Sequence, residues 1–307
     1  MKHMRLRFQL IIVSVLLLSG TGITMAQQDP VYSQYLNNPL LINPAFAGNN
    51  NMFNATLQYR TQWAGLDNNP TTVNFNAHMS MYENKLGVGL LVSQDQLGDT
   101  KNNEMNAVGS YRLPIGKTST LSFGMQMGFV RYTNDPSLLR IRDPGDPAFL
   151  SMSETKFNTG AGLLLKGDRF LVGISIPRLI PVSISQGGTN IQLYNNTFYG
   201  MGAYLVRVNE NLYLRPSVLL RGTSGTPLSA DINASLVFYR FYTAGLFTRN
   251  FKSYGLLTQA LIKNFRIGYV FELPGSSTSS LNFTSHEIMI GWTGALLKGH
   301  DLVPKSF

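Results

Sequence analysis

His286-Glu287 starts like the zinc-binding helix of a metalloprotease, where two His four residues apart share one face and the Glu is the base. Ile290 stands where the second His is required, and the surrounding residues alternate as in a strand, so no zinc site is expected there. Gly222-Thr-Ser-Gly225 lacks the spacing of a nucleophile elbow. Gly87-Val-Gly89, Gly160-Ala-Gly162 and Gly200-Met-Gly202 lack the third glycine of a phosphate loop, and in strands such glycines mark close packing or bends. Asp143-Pro-Gly-Asp146-Pro offers oxygens to calcium, but Asp-Pro and Pro-Gly are also plain turn formers, the favoured reading. His78 lies on a polar strand face, where it could meet an Asp or Ser for hydrolysis or be solvated, the plainer reading. Arg60 and Arg112 lie on polar faces too, either lending an interior a mild anion preference or pairing with acids. The chain has no cysteine, hence no disulfide, thiolate nucleophile or thiolate metal site. No catalytic group, cofactor or metal is expected.

The elements that carry these residues have a period of two. Between residues 54 and 63, Ala55, Leu57, Tyr59, Thr61 and Trp63 oppose Asn54, Thr56, Gln58, Arg60 and Gln62. Val73, Phe75, Ala77, Met79 and Met81 oppose Thr72, Asn74, Asn76, His78 and Ser80, and the pattern recurs through Leu121–Phe129 and Ala230–Phe238. Successive strand side chains point to opposite faces, so each segment is a strand with one apolar and one polar side. Fourteen such segments of roughly 9 to 15 residues fit between residues 54 and 295, each longer than the ~5–6 residues of ordinary strands. Roughly 9–11 tilted residues cross a bilayer. A soluble sandwich would hide the apolar faces inside; long strands in large, even number favour a membrane barrel. Pro177 and Pro216 fall inside two segments, implying bulges or boundaries drawn too wide.

Connections alternate in length. Tyr82–Asn84, Ile115–Thr118, Gly167–Asp168, Val208–Glu210, Arg240 alone and Lys263–Asn264 are short. Asn134–Thr155, Pro181–Asn196, Gly222–Leu228 and Pro274–Thr284 are long, although Phe251–Ser253 breaks the trend. Short periplasmic turns opposite long external loops are the mark of an outer-membrane barrel, and an even strand count puts both termini in the periplasm. Tyr59, Trp63, Tyr111, Phe129, Tyr132, Phe238, Tyr239, Tyr242 and Trp292 fall near segment ends, as interfacial girdles require. The expected fold is all-β: a transmembrane antiparallel up-and-down barrel of about 14 strands.

Ahead of the barrel, residues 1–26 read as a signal peptide. Lys2, Arg5 and Arg7 precede the apolar run Phe8–Leu18, and Thr24 and Ala26 offer a cleavage site. Removing three of the 25 basic residues leaves 22 against 16 acidic, a charge of +6. Charged residues are only 13% of the chain and the basic ones are scattered, which argues against nucleic-acid binding. Outer-membrane lipid is the expected surrounding. Residues 27–53 carry Asn38-Pro39 and Asn43-Pro44 with Tyr32, Tyr35 and Phe46, too apolar for a free linker. A wide barrel has space needing an occupant. This segment, with candidates Gln34, Tyr35, Asn38, Pro39, Asn43, Pro44, Phe46 and Gly48, either plugs the lumen or docks a periplasmic partner.

The stretch from Gln28 to Gly48, QDPVYSQYLNNPLLINPAFAG, resembles the N-terminal signature of the PorP/SprF family. Tyr59-Arg-Thr-Gln-Trp63, Pro70-Thr-Thr72, Leu86-Gly-Val-Gly89 and Ser285–Trp292 are similar to further landmarks of that family. The tail of residues 296–307 is placed by neither barrel nor resemblance. The resemblance implies an outer-membrane protein of type IX secretion and gliding motility in Bacteroidota. It implies a non-enzymatic barrel that assists export or anchoring of large surface proteins such as adhesins, with other secretion components as partners. A passive porin and a barrel-borne hydrolase centred on His78 are the alternatives left by the residues themselves.

Overall fold

The computed structural model describes residues 32–116, 118–136, 151–186, 189–274, 283–297 and 300. The leader and the Asp143–Asp146 turn lie outside them. Strands β1 (Phe53–Ala64), β2 (Thr71–Met81), β3 (Leu86–Leu97), β4 (Thr100–Ile115), β5 (Ser119–Asn134), β6 (Met152–Lys166) and β7 (Phe170–Ile176) follow one another, each antiparallel to the last. A separate two-stranded sheet, β8 (Val182–Gln186) with β9 (Thr189–Tyr194), comes next. The wall resumes with β10 (Thr197–Tyr204), its stub β11 (Val206–Arg207) and β12 (Leu212–Thr223). It continues through β13 (Ser229–Phe238), β14 (Tyr242–Arg249), β15 (Ser253–Ile262), β16 (Phe265–Pro274) and β17 (Thr284–Gly294). β10 bridges β7 and β12, and β17 pairs with β1, so the sheet closes as a barrel of 14 strands.

Exposure shows which way the alternation faces. Leu57, Tyr59, Phe75, Phe123, Met125, Met127 and Phe129 are exposed, while Thr56, Gln58, Arg60, Asn74, Asn76, Ser122 and Gln126 are buried. A soluble sandwich would bury the first set; an apolar exterior around a polar interior is a lipid-facing wall. Closure also leaves no unpaired strand edge in the bilayer. Among the described residues no helix is long and apolar enough to cross a membrane.

The turns after β2, β4, β6, β11, β13 and β15 are short and share one end with Phe53 and Gly294, where the wall begins and finishes. At the opposite end lie the longer connections, except for the tight turns Gly98–Asp99 and Asn250–Lys252. The one between β7 and β10, expected as a loop, contains the β8–β9 sheet. Its Val182 and Tyr194 pack on Val130 and Tyr132 of the inner face of β5, so this hairpin folds over the long-loop mouth. Tyr132 therefore leaves the expected aromatic girdle: even-numbered positions of β5 point inward, whereas Phe129 points to lipid. Pro177 falls just past β7, so that strand is shorter than its sequence pattern. Pro216 lies inside β12 opposite Ala234 with the register intact and no bulge. Its missing N–H faces Tyr204 and Leu205, where the β10 ladder breaks before β11 resumes.

Candidate functional site

Residues 32–52 lie inside the barrel and bond to strands all round it. Asn38-Pro39 and Asn43-Pro44 each open a short 3-10 turn, Pro39–Leu41 and Pro44–Phe46. Proline fixes φ and needs no N–H partner in a first turn, which suits both places. The Asn43 carboxamide accepts from the Ala45 N–H at 2.9 Å and donates to Leu163 O on β6 at 3.0 Å. Asn38 instead reaches the wall, donating to Gln58 Oε1 at 3.0 Å and accepting from Asn76 Nδ2 at 2.7 Å. Ser175 donates to Ile42 O, Ser110 to Ala47 O, and Tyr35 meets Ser217 Oγ at 3.1 Å. Leu40, Ile42, Ala45 and Phe46 pack with inward-facing Leu91, Val108, Leu164, Leu171, Met201 and Leu219 into one apolar core.

The wall is shaped to this segment. A Cβ at Gly124 would overlap the backbone of Pro44 and Ala45, and one at Gly87 the carbonyl of Ala47. At Gly162 it would strike the Asn43 side chain, and at Gly268 that of Gln34. Gly48, at φ +66, takes a left-handed turn that only glycine adopts freely, against the backbone of Met79 and Ser80. The close packing anticipated at Gly87 and Gly162 is thus against the segment.

Near the long-loop half, five charged side chains meet its start. Arg60 pairs with Glu287 at 3.0 Å and Glu272 at 2.9 Å, and Arg249 pairs with Glu272 and Asp231, each at 2.8 Å. Two cations face three carboxylates, and the surplus negative charge is met by donors from the segment. Glu287, fully buried, accepts from the N–H groups of Ser33 at 3.1 Å and Gln34 at 3.0 Å, and from Gln58 at 2.9 Å. The Ser33 hydroxyl donates to Glu272 and accepts from both arginines. Burying charge is stable only when it is fully paired and hydrogen-bonded, so the cluster is complete only with the segment in place. Burial also pushes the Tyr35 phenol up to about 12.

The sequence candidates fall into this one assembly. Gln34, Tyr35, Asn38, Asn43 and Gly48 all bond to the wall or to their own turns, and Pro39, Pro44 and Phe46 shape and fill the core. Arg60 is paired with acids. Arg112 donates to Gly48 O and, at 3.0 Å, to Asn51 Oδ1, so it ties down the segment's far end. His78 Nδ1 accepts from the Gly48 N–H at 3.0 Å, which occupies the lone pair a hydrolytic base would use. His286 and Glu287 point to opposite faces; His286 bonds Tyr269 and Thr284. Sequence reasoning missed Ser33, Asp231, Arg249, Glu272 and Glu287. The available signal was a carboxylate on the inward parity of a strand, which a barrel interior keeps only if something pairs it.

Residues 24–292 match the family described as type IX secretion system membrane protein PorP/SprF. No curated protein matches the sequence. Among solved structures the chain is similar to the CymD monoaromatic hydrocarbon channel, with TM-score 0.54 and 10% identity over 90% of this chain and 96% of that one. It is also similar to the Ralstonia pickettii toluene transporter TbuX, with TM-score 0.51 and 11% identity over 83% and 92%. A TodX monoaromatic hydrocarbon channel mutant gives TM-score 0.50 and 11% identity over 85% and 94%. At such identities these likenesses establish the barrel fold alone.

Proposed function

The chain belongs to the PorP/SprF family of type IX secretion system membrane proteins, and on that premise we propose that it is a closed, non-enzymatic accessory barrel. It resides in the outer membrane with the ends of its wall on the periplasmic side, surrounded by lipid. It assists export or anchoring of large surface proteins such as adhesins, in contact with other secretion components. Residues 32–52 act as a plug, so the barrel offers its partners surfaces and not a conduit.

One observation carries this reading: the N-terminal segment, within the family match, is bonded to strands on opposing sides of the lumen and completes a buried ion cluster. A passive porin needs a continuous water path where the Leu40–Ala47 core sits. A hydrolase needs a free base where His78 holds Gly48. Deletion of the gene, in a strain without a redundant paralogue, should abolish surface display of at least one large adhesin. Normal display and normal gliding would refute the accessory role.

A further inference from the structure

Among the described residues, the buried acids of the lumen all lie toward one end of the barrel. The acids of the ion cluster occupy the half nearer the long loops. Arg215 on β12 and Arg266 on β16 occupy the half nearer the short turns. Arg215 is 8% exposed and, among the described residues, its side chain has no hydrogen-bond or ion-pair partner; its Nε is sealed from solvent. Arg266 gives one hydrogen bond, to Asn37 O at 3.2 Å, and its Nε is likewise buried without a partner. The two guanidinium groups stand between two cavities of about 90 Å³ and about 220 Å³ and line both. Exposed Arg240 and Lys263 line the larger cavity at the short-turn end, and no Asp or Glu lines either one.

Arginine cannot shed its proton, and a guanidinium whose Nε is sealed from water without a partner is unfavourable unless an anion meets it. Arg60 and Arg249, each paired with two carboxylates, show what a satisfied guanidinium looks like in this same wall. Two planar forks opening on a cavity with a basic rim suit bidentate capture of anionic oxygens drawn in from outside. We propose that Arg215 and Arg266, with Arg240 and Lys263 at the entrance, form a binding site for an oxyanion, a carboxylate or phosphate group, entering from the short-turn end. A free small anion and an acidic side chain of a docking protein share that chemistry. The site stands apart from the accessory role: it binds its ligand whether or not the barrel serves an adhesin.

The test is calorimetric titration of the full barrel in nonionic detergent at fixed ionic strength, once with inorganic phosphate and once with a capped tetraglutamate peptide. At least one probe should saturate. Binding should weaken at least about tenfold in an Arg215→Gln/Arg266→Gln protein, because both buried forks are lost. It should weaken severalfold in Arg240→Gln/Lys263→Gln, whose exposed positions leave the fold untouched. Tighter peptide binding assigns the ligand to an acidic protein segment; tighter phosphate binding assigns it to a small anion. Failure of both probes to saturate, or undiminished binding by a folded Arg215→Gln/Arg266→Gln protein, overturns the site. Should that protein not fold, undiminished binding by the rim variant does so.

Discussion

Glu287→Ala removes the carboxylate on which the start of the lumenal segment rests. Four contacts go at once, to the N–H groups of Ser33 and Gln34, to Gln58 Nε2 and to Arg60. Arg60 keeps Glu272, so its charge is not wholly stranded. Breaking one partner of a buried pair costs about 3–5 kcal/mol, and an orphaned buried N–H about 1–3 more, though the two overlap and do not add fully. The backbone ladder of the wall is untouched, so the loss falls on the segment's docking. At about 1.4 kcal/mol per factor of ten, a loss of 3–4 kcal/mol raises the undocked fraction several-hundred-fold. When opening is fast relative to cleavage, proteolysis follows that fraction. Chymotrypsin has sites at Tyr35, Leu36, Leu40, Leu41 and Phe46, and cleavage between residues 32 and 52 should accelerate by about two orders of magnitude or more while the barrel stays intact. Glu287→Gln keeps one acceptor oxygen and should fall between the two. A Glu287→Ala protein cleaved at a rate within about threefold of the wild type would refute the reasoning, because the ion cluster would then not hold the segment.

Gly124→Val should expel the segment by overlap with the Pro44–Ala45 backbone, costing at least about 1–3 kcal/mol, whereas Gly109→Val, with open space about its Cβ, should be silent in the same digestion. Tyr35 contributes stability that is fully present below about pH 10 and lost as pH rises towards about 12, because its folded phenol is raised. Alkaline unfolding followed by tyrosine absorbance should therefore shift to higher pH in Tyr35→Phe. His78→Ala removes the acceptor of the Gly48 N–H, at a cost of about 1 kcal/mol to melting, and should leave adhesin display unchanged. Loss of display with an intact fold would revive a chemical role for that histidine.

Much of the wall was legible because lipid imposes a strict rule on every second residue. Leu57, Tyr59, Phe75 and Phe123 obey it, and their parity alone tells in from out. The break at Leu205 was legible only as the anomaly of Pro216, since the effect of a missing N–H depends on which neighbour it faces. The β8–β9 hairpin was hidden in a long connection, although Gly187-Gly188 between two alternating stretches is a hairpin signal. Inside the lumen the rule lapses. Leu91, Val108, Leu164 and Leu219 face inward because the segment, not water, is their neighbour, and no local pattern announces that. The two Asn-Pro steps marked the segment as ordered, but its acidic anchor comes from β13, β16 and β17, more than 190 residues away in the chain. Such pairing is a property of closure and is invisible until β17 meets β1.

We propose that the lumen is closed by the chain's own N-terminal residues. Planar-bilayer recording of the purified barrel, beside a variant lacking residues 33–47, tests this most directly. The wild type should be silent, and the deletion should give a steady conductance that chymotrypsin does not increase. A steady open conductance from the wild type, equal to that of the deletion, would contradict it.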